Sequence, residues 1–362
     1  MKIVRELDPD RWKTFVDENS CGNIYHTPEM FEVFSRTKGH TPELWAAVDD
    51  AGDILALLPI VKLNLLDGPM RRLTTRAVSY GSVLCVPDAR GQVALRFLLE
   101  TYNKQEGSRA LFTELRHISD LNSLRPTLAE CGYEYEDHLN FLIDLTEPQD
   151  VIWKKIAKSA QQRIRTSRNK GTQIEVITER ENLDIAYRFL EDVYERVQIP
   201  LADKSLFQAA FDVLAPKGMI QMLLARAGEQ YAATALLLTY HGRIIYWYIG
   251  ADRALSAYSP SEFLVWHALQ WGNANGYQSF DFGGGGKPDQ KYGPRDFKSK
   301  FGGVEVNYGR HICVHSPLRL KLSEAGYQLY RRSNLIKSLT ARLIVTQLSQ
   351  DLSQDVFPAL VA

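Results

Sequence analysis

Residues Tyr277–Gly303 read YQSFDFGGGGKPDQKYGPRDFKSKFGG, and this stretch sets the frame for the rest of the chain. Ser279–Phe282 has the composition of a short strand, and four glycines, Gly283–Gly286, open directly from it. A backbone without side chains lets another molecule approach closely, which makes Gly283 and Gly284 candidate binding positions. Asp281 places a carboxylate at the carboxyl end of an α/β strand, where ligands are commonly met. The competing reading is a capped turn whose glycines only reverse the chain. Two familiar phosphate loops are excluded. GGGGK would need glycine at Asp281 and a hydroxyl at Pro288 to form the nucleotide-hydrolase loop, and Pro288 also takes the third glycine of a dinucleotide-binding loop. Downstream, Phe297–Gly303 alternates aromatic and basic residues as a strand does, so Lys298 and Lys300 fall on one face. Such a pair holds an anionic substrate, or forms the charged outer face of an edge strand.

Upstream, Arg243–Gly250 reads as a strand and 261–275 as a helix, entered through Ser259-Pro260-Ser261-Glu262, an S-x-x-E capping box with proline at the first helical position. A strand feeding a helix N-terminus is a common seat for a phosphate or an oxyanion. Tyr246, Trp247, Tyr248 and Tyr258 lie about this point; aromatics on a strand pack in the core, or a tyrosine at the strand end gives a proton to a leaving group. Hairpins are expected at 44–62 and 220–241, with further helices at 28–38, 90–106, 121–131, 182–198 and 205–214. The order of hairpin, strand, helix and strand occurs in both halves, so the chain reads as α/β (α+β) with a duplicated topology.

Between the halves, Val151–Gly171 carries seven basic residues and no acidic one. On a helical wheel Lys154, Lys158, Arg165 and Arg168 share one face, with Ile156, Ala160 and Ile164 opposite. This amphipathic helix is either a solvated linker or an anchor for the phosphates of a nucleotide, a nucleotide-linked substrate or RNA. The expected divisions are 1–150, the basic helix 151–171, 172–317 with the site, and a helical tail 318–362. Within that tail Leu335–Val345 is a candidate peripheral membrane or partner contact.

A chain of 362 residues suits two domains, and 43 basic residues balance 43 acidic ones, so global charge implies neither DNA nor membrane as a partner. MKIVRELDPD lacks the apolar core of a signal peptide, and the apolar runs fall short of the roughly 20 residues that span a bilayer. Four scattered cysteines without a CxxC suit reduced thiols, and the expected compartment is cytoplasmic. His311, Cys313 and His315 share one face of a strand, but no fourth ligand is evident and no metal is expected. His26, beside Thr27-Pro28, reads as a residue of a helix start rather than a base.

Taken together, Phe280-Asp281-Phe282-Gly283-Gly284, the loop with Tyr292-Gly293, and F-K-x-K-F-G at 297–302 resemble the closing signature of FemAB-like acyltransferases. That family includes the non-ribosomal peptidyltransferases of the peptidoglycan bridge and BioF2-like acetyltransferases. Asn140–Gly171, with Arg163 and Arg168 ahead of Gly171, and IYHTPE at 24–29 fit the same pattern. The resemblance implies two tandem GNAT-like folds with mixed sheets flanked by helices. It also implies an activated donor, acyl-CoA or aminoacyl-tRNA, as co-substrate with no tightly bound cofactor. The acceptor it implies is an amine on a cell-envelope precursor, peptidoglycan or polysaccharide. It puts the basic helix near phosphates, and Asp281 and Lys298 near the reaction. The segment Arg253-x-x-Ser256-x-Tyr258 lacks both glycines of the usual GNAT pyrophosphate loop.

The expected chemistry is direct attack of a neutral amine on an activated carbonyl, which needs alignment, a proton acceptor and donors for the oxyanion. The expected roles are Asp281 as base or amine-orienting group and Tyr248 or Tyr258 as proton donor. Lys298, Arg163 and Arg168 are expected as anion anchors, with Lys158, Tyr292 and Lys300 as further contacts. Two rivals are an ordinary acyl-CoA-dependent N-acetyltransferase of a small metabolite or amino sugar, and a non-catalytic RNA-binding or scaffold protein.

Overall fold

Apolar runs broken by turn residues give two separate sheets in the computed structural model, which describes residues 1–64, 74–106, 109–197 and 200–332, without the side chains of 106, 324 and 326–332. The tail beyond 332, including Leu335–Val345, lies outside the described residues. The first unit holds β1 (Lys2–Val4), α1 (Pro9–Glu18), α2 (Pro28–Ser35), β2 (His40–Val48), β3 (Ile54–Leu63), β4 (Arg76–Ser79), β5 (Leu84–Cys85), α3 (Ala89–Glu106), β6 (Phe112–Arg116), α4 (Arg125–Glu130) and β7 (Glu134–Glu136). The second holds β8 (Leu139–Asp144), α5 (Gln149–Lys155), α6 (Lys158–Asn169), β9 (Gln173–Val176), α7 (Leu183–Val197), α8 (Lys204–Leu214), β10 (Ile220–Ala227), β11 (Gln230–Tyr240), β12 (Arg243–Ala251), α9 (Pro260–Ala274), β13 (Ser279–Gly286), α10 (Gly293–Lys298) and β14 (Val304–Asn307). β15 (Arg310–Val314) and α11 (Pro317–Arg332) then return to the first unit.

The two sheets share one grammar. The first runs β1-β2-β3-β4-β6-β15-β7, with β5 beside β3, and the second runs β9-β10-β11-β12-β13-β8-β14. In each, the fourth and fifth strands of the path are the parallel pair among described strands, and the remaining neighbours are antiparallel. A parallel pair needs a crossover. α3 lies in the crossover from β4 to β6, and α9 in that from β12 to β13.

The unit boundaries differ from the expected 1–150 and 172–317. One unit is Met1–Asp137 with the described residues from Tyr308 on; the other is 138–307. Two features move the line. β8 pairs with β13 and β14 rather than with any strand of the first sheet. The basic segment is not a free connector, because Ile152, Ile156, Ala160 and Ile164 are buried in the second core beside Phe280, Phe282 and Phe301. Burying a phenylalanine stabilises by about 1.5–3 kcal/mol, so this seam holds the segment firmly.

That segment is two helices, not one. Extended backbone at Ile156 and Ala157 breaks it, and the Ala157 amide donates to the Lys300 carbonyl at 2.8 Å. Its expected apolar face is the buried one, and Lys154, Lys158, Arg165 and Arg168 are exposed. The missing acids come from outside: Asp150 pairs with Lys154, Glu147 with Lys155, and Glu262 with Arg163.

The first unit buries charge. Glu114 on β6 is 2% exposed and binds Arg116 at 2.9 Å and Arg310, from β15, at 2.5 Å. Burial alone would raise its carboxyl, but Arg116 and Arg310 outweigh this and hold it at about 2. Arg76 lies close by and is lowered to about 10 by burial and by Arg116. On β15, His311 Nδ1 meets His117 Nε2 at 2.6 Å, and His315 Nε2 meets the Thr113 hydroxyl at 2.7 Å. His26 sits in the short helical turn before α2 with Nε2 3.3 Å from the Ser82 carbonyl, and burial lowers it to about 4.

Candidate active site

β12 and β13 run together for three residue pairs only, Arg243 with Ser279, Ile244 with Phe280 and Ile245 with Asp281. Beyond Asp281 they share no pair, although β12 continues to Ala251 and β13 to Gly286. The strands part at the carboxylate. Phe280 and Phe282 lie in the core that α5, α6 and α9 cover, so strand alternation turns Asp281 to the opposite face.

The four glycines are not the open loop that sequence predicts. β13 runs on through them with two register shifts, pairing Gly284 with Asn140 and Gly286 with Leu139 of β8, and all four are buried. Two need glycine for backbone reasons, since φ is +69° at Gly283 and +75° at Gly286. Their polar groups are committed. The Gly283 amide donates to Asp281 Oδ1 at 2.7 Å, and the Gly284 carbonyl accepts from Lys298 Nζ at 2.7 Å.

Asp281 is 1% exposed. Oδ1 also accepts from Asn140 Nδ2 at 2.7 Å, whereas Oδ2 is buried with no hydrogen-bond partner. Burial raises its pKa, opposed by Arg243, the Gly283 amide, Asn140 and Lys298. An unsatisfied carboxylate oxygen costs stability, which suits a group that awaits a donor.

Lys298 departs from expectation. Gly293–Lys298 is a helix followed by a helical turn, Ser299–Phe301, because the aromatics at 297 and 301 meet at helical spacing, ring centroids 5.2 Å apart, and Pro294 starts the turn. Lys298 is thereby 4% exposed while Lys300 is exposed, so the two do not share a face. Burial lowers the Lys298 ammonium to about 7, with the Asp281 charge acting against it.

A bulge sorts the tyrosines. β11 pairs Leu236 with Tyr248 and Leu237 with Tyr246, leaving Trp247 as the extra residue. Tyr246 therefore packs on Phe280 and Phe282, whereas Tyr248 meets Tyr194 of α7 and Phe207 of α8 on the face that Asp281 takes. Tyr292, from the loop before α10, lies near Tyr194, and the Gly286 position abuts its ring. Tyr258 stands apart in a short helical turn, half-buried, with Lys170 Nζ 5.0 Å from its ring centre. The structure thus gathers Asp281 with Lys298, and sets Tyr248 and Tyr292 each near Tyr194.

The capping box at α9 does not form. Ser259 has φ +52° and makes no side-chain cap bond, and Glu262 turns to Arg163, 3.4 Å away. The first-turn amides are thus free of their expected caps, as an anion site requires. Lys158 and Arg168 are exposed and have no ion pair among the described residues. Sequence reading missed Asn140 as a site residue; a polar residue inside the apolar run LNFLI is the signal that marks it.

A mixed sheet of this order, whose parallel strands β12 and β13 part with a helix N-terminus beyond, has the layout of a GNAT-like fold. Residues 154–299 match the family described as acetyltransferase (GNAT) domain. No curated protein matches the chain in sequence. Among solved structures, FemX is similar at 15% identity and TM-score 0.67, over 91% of this chain and 99% of its own. L-PGS from Bacillus licheniformis is similar at 14% identity and TM-score 0.57, over 95% of this chain and 99% of its own. A tandem GNAT protein from the clavulanic acid biosynthesis pathway is similar at 11% identity and TM-score 0.55, over 87% and 99%. The chain has the fold of tandem GNAT proteins and carries a GNAT acetyltransferase domain over residues 154–299. Among the described residues no helix is long and apolar enough to cross a membrane.

Proposed function

We propose that this protein moves an acyl or aminoacyl group from an activated donor, acyl-CoA or aminoacyl-tRNA, to an amine on a cell-envelope precursor. The observation that carries the reading is the Asp281 carboxylate, buried where β12 and β13 part, with Oδ2 unengaged. An entering amine donates a hydrogen bond to Oδ2 and aligns on the donor carbonyl, and Oδ2 takes its proton as the tetrahedral adduct forms. Lys298, 2.7 Å from the Gly284 carbonyl, keeps positive charge beside Asp281 and favours its ionised form. Tyr248 gives a proton to the leaving group, and Tyr292 lies near Tyr194, whose ring also meets Tyr248.

The donor's phosphates take the first-turn amides of α9 together with Arg163, Arg168 and Lys158. This replaces the two missing loop glycines with side-chain charge. The resemblance of the 277–303 motifs to FemAB-like acyltransferases supports an envelope acceptor and an aminoacyl donor, and the similarity to FemX supports the fold that this reading needs. The GNAT domain match supports acyl-CoA as a second donor, used for N-acetylation of a small amine. Peptidoglycan and polysaccharide precursors carry suitable amines, and the protein works on them in the cytoplasm.

Purified protein is assayed with acetyl-CoA and with a pool of charged tRNA against a nucleotide-linked muropeptide precursor. Transfer from charged tRNA to the precursor is expected. Transfer from acetyl-CoA alone, with a raised melting temperature in coenzyme A, selects the N-acetyltransferase reading. Salt-sensitive RNA binding with no transfer from either donor overturns both.

A further inference from the structure

Asp281 and Asn140 meet across two strands, and the hydrogen-bond directions around them are fixed by the backbone. Asn140 lies on β8, between β13 and β14, opposite Gly284 on one side and Val306 on the other. The residue is 5% exposed. The Phe141 amide donates to Asn140 Oδ1 at 2.8 Å, and an amide proton leaves only one choice for that end of the side chain. The other end is then Nδ2, which donates to Asp281 Oδ1 at 2.7 Å. With the Gly283 amide also donating to Oδ1 at 2.7 Å, both lone pairs of that oxygen are used.

We propose that Asn140 is a positioning residue that, with the Gly283 amide, confines proton uptake and substrate contact at Asp281 to Oδ2. This rests on the reading of Asp281 as the group that meets the amine. A carboxylate free to rotate presents either oxygen, and a proton on Oδ1 would leave the wrong edge toward the substrate. Asn140 removes that choice, because a protonated Oδ1 would have to face two donors. Its hydrogen bond also favours the ionised form, as do Arg243 of β12 and Lys298 of α10, the charged groups that act on Asp281.

The test reads Asp281 itself. In full-length protein with carboxyl-labelled aspartate, the Asp281 resonance is assigned by its loss in Asp281→Asn and followed through a pH titration. Asn140→Leu is expected to move its midpoint up by about one pH unit, the size of one lost hydrogen bond to a charged oxygen. Asn140→Asp, nearly identical in shape and so a guard against misfolding, is expected to give a coupled two-step titration as two carboxyls share one proton. An unchanged midpoint in Asn140→Leu, or independent single-step behaviour in Asn140→Asp, overturns the proposal. Turnover separates it from the functional reading. Asp281→Asn inactive with an unmoved titration in the Asn140 variants refutes the positioning role alone, whereas a fully active Asp281→Asn refutes both.

Discussion

The two parallel strand pairs, β4 with β6 and β12 with β13, occupy the same place in two sheets of the same order and hold a buried carboxylate in opposite ways. In the first unit Glu114 stands opposite Val78 and is engaged at both oxygens, by Arg116 and Arg310. In the second, Asp281 stands opposite Ile245 and has one oxygen engaged twice and the other not at all. Burial opposes ionisation in both. In one case ion pairs overcome it and the acid is lowered to about 2; in the other the balance leaves the acid raised. A fold that tolerates a buried carboxylate at this position makes a lock of it when the acid is saturated with partners, and under the proposed function makes a reactive centre of it when it is not.

Four experiments press on that contrast. The largest effect is expected from Asp281→Asn, which keeps the shape but removes the proton acceptor: transfer falls about 10²- to 10⁴-fold while the melting temperature holds. Glu114→Gln should do the reverse. It strips the partner from Arg116 and Arg310 and costs about 3–5 kcal/mol in denaturant titrations, with per-molecule activity kept in the folded fraction. Wild-type protein should show the same group in its acid limb. Because the folded pKa lies below the usual 4.5, stability from Glu114 is full above about 4.5 and is lost as pH falls through about 2. A wild-type acid limb that persists in Glu114→Gln would dissolve the distinction.

Lys298→Met comes next, with turnover expected to drop about tenfold. If Lys298 works as the ammonium, wild-type turnover falls as pH rises through about 7. Its stability signature has a definite sign. An unfolded lysine keeps its proton to about 10.5, so the unfolded chain binds more protons between about 7 and 10.5 and stability climbs with pH across that window. Lys298→Met flattens this climb; if the slope survives, the low lysine pKa is wrong. The smallest effect belongs to the exposed cations: Arg163→Ala with Arg168→Ala should raise the donor KM about two- to fivefold, less at high salt, with kcat preserved.

Much of this was legible in the sequence, and the failures have physical reasons. Strands and helices with strong periodicity, such as β11, β12 and α9, fall within a few residues of their expected ends. Asp281 and Lys298 stand out from their motif, and the structure brings them together. What misled was local ambiguity. FKSKF alternates like a strand, yet the aromatics at 297 and 301 pair four apart on a helix, so the lysines part company. The glycine run has loop composition, but β8 pairs with it and extends β13 through it. The Tyr246–Tyr248 switch depends on one bulged residue, for which no pattern exists in a single chain. Asn140 left one signal, a polar residue in an apolar run, but not its role: its partner is 141 positions away, and only the sheet brings them together.

The late return of β15 has a consequence for how the molecule is made. β15 is the strand that joins β7 to β6 and delivers Arg310 to Glu114, yet it lies beyond every residue of 138–307. On the ribosome, the first half emerges early and waits without its sixth strand, with β6 an unpaired edge and Glu114 one arginine short. The second unit has all its strands first. Folding order is therefore expected to invert synthesis order, which is measurable as protease resistance that appears in 138–307 before it appears in 1–137 on stalled nascent chains. An exposed β6 edge during that delay is the molecule's window for misassembly.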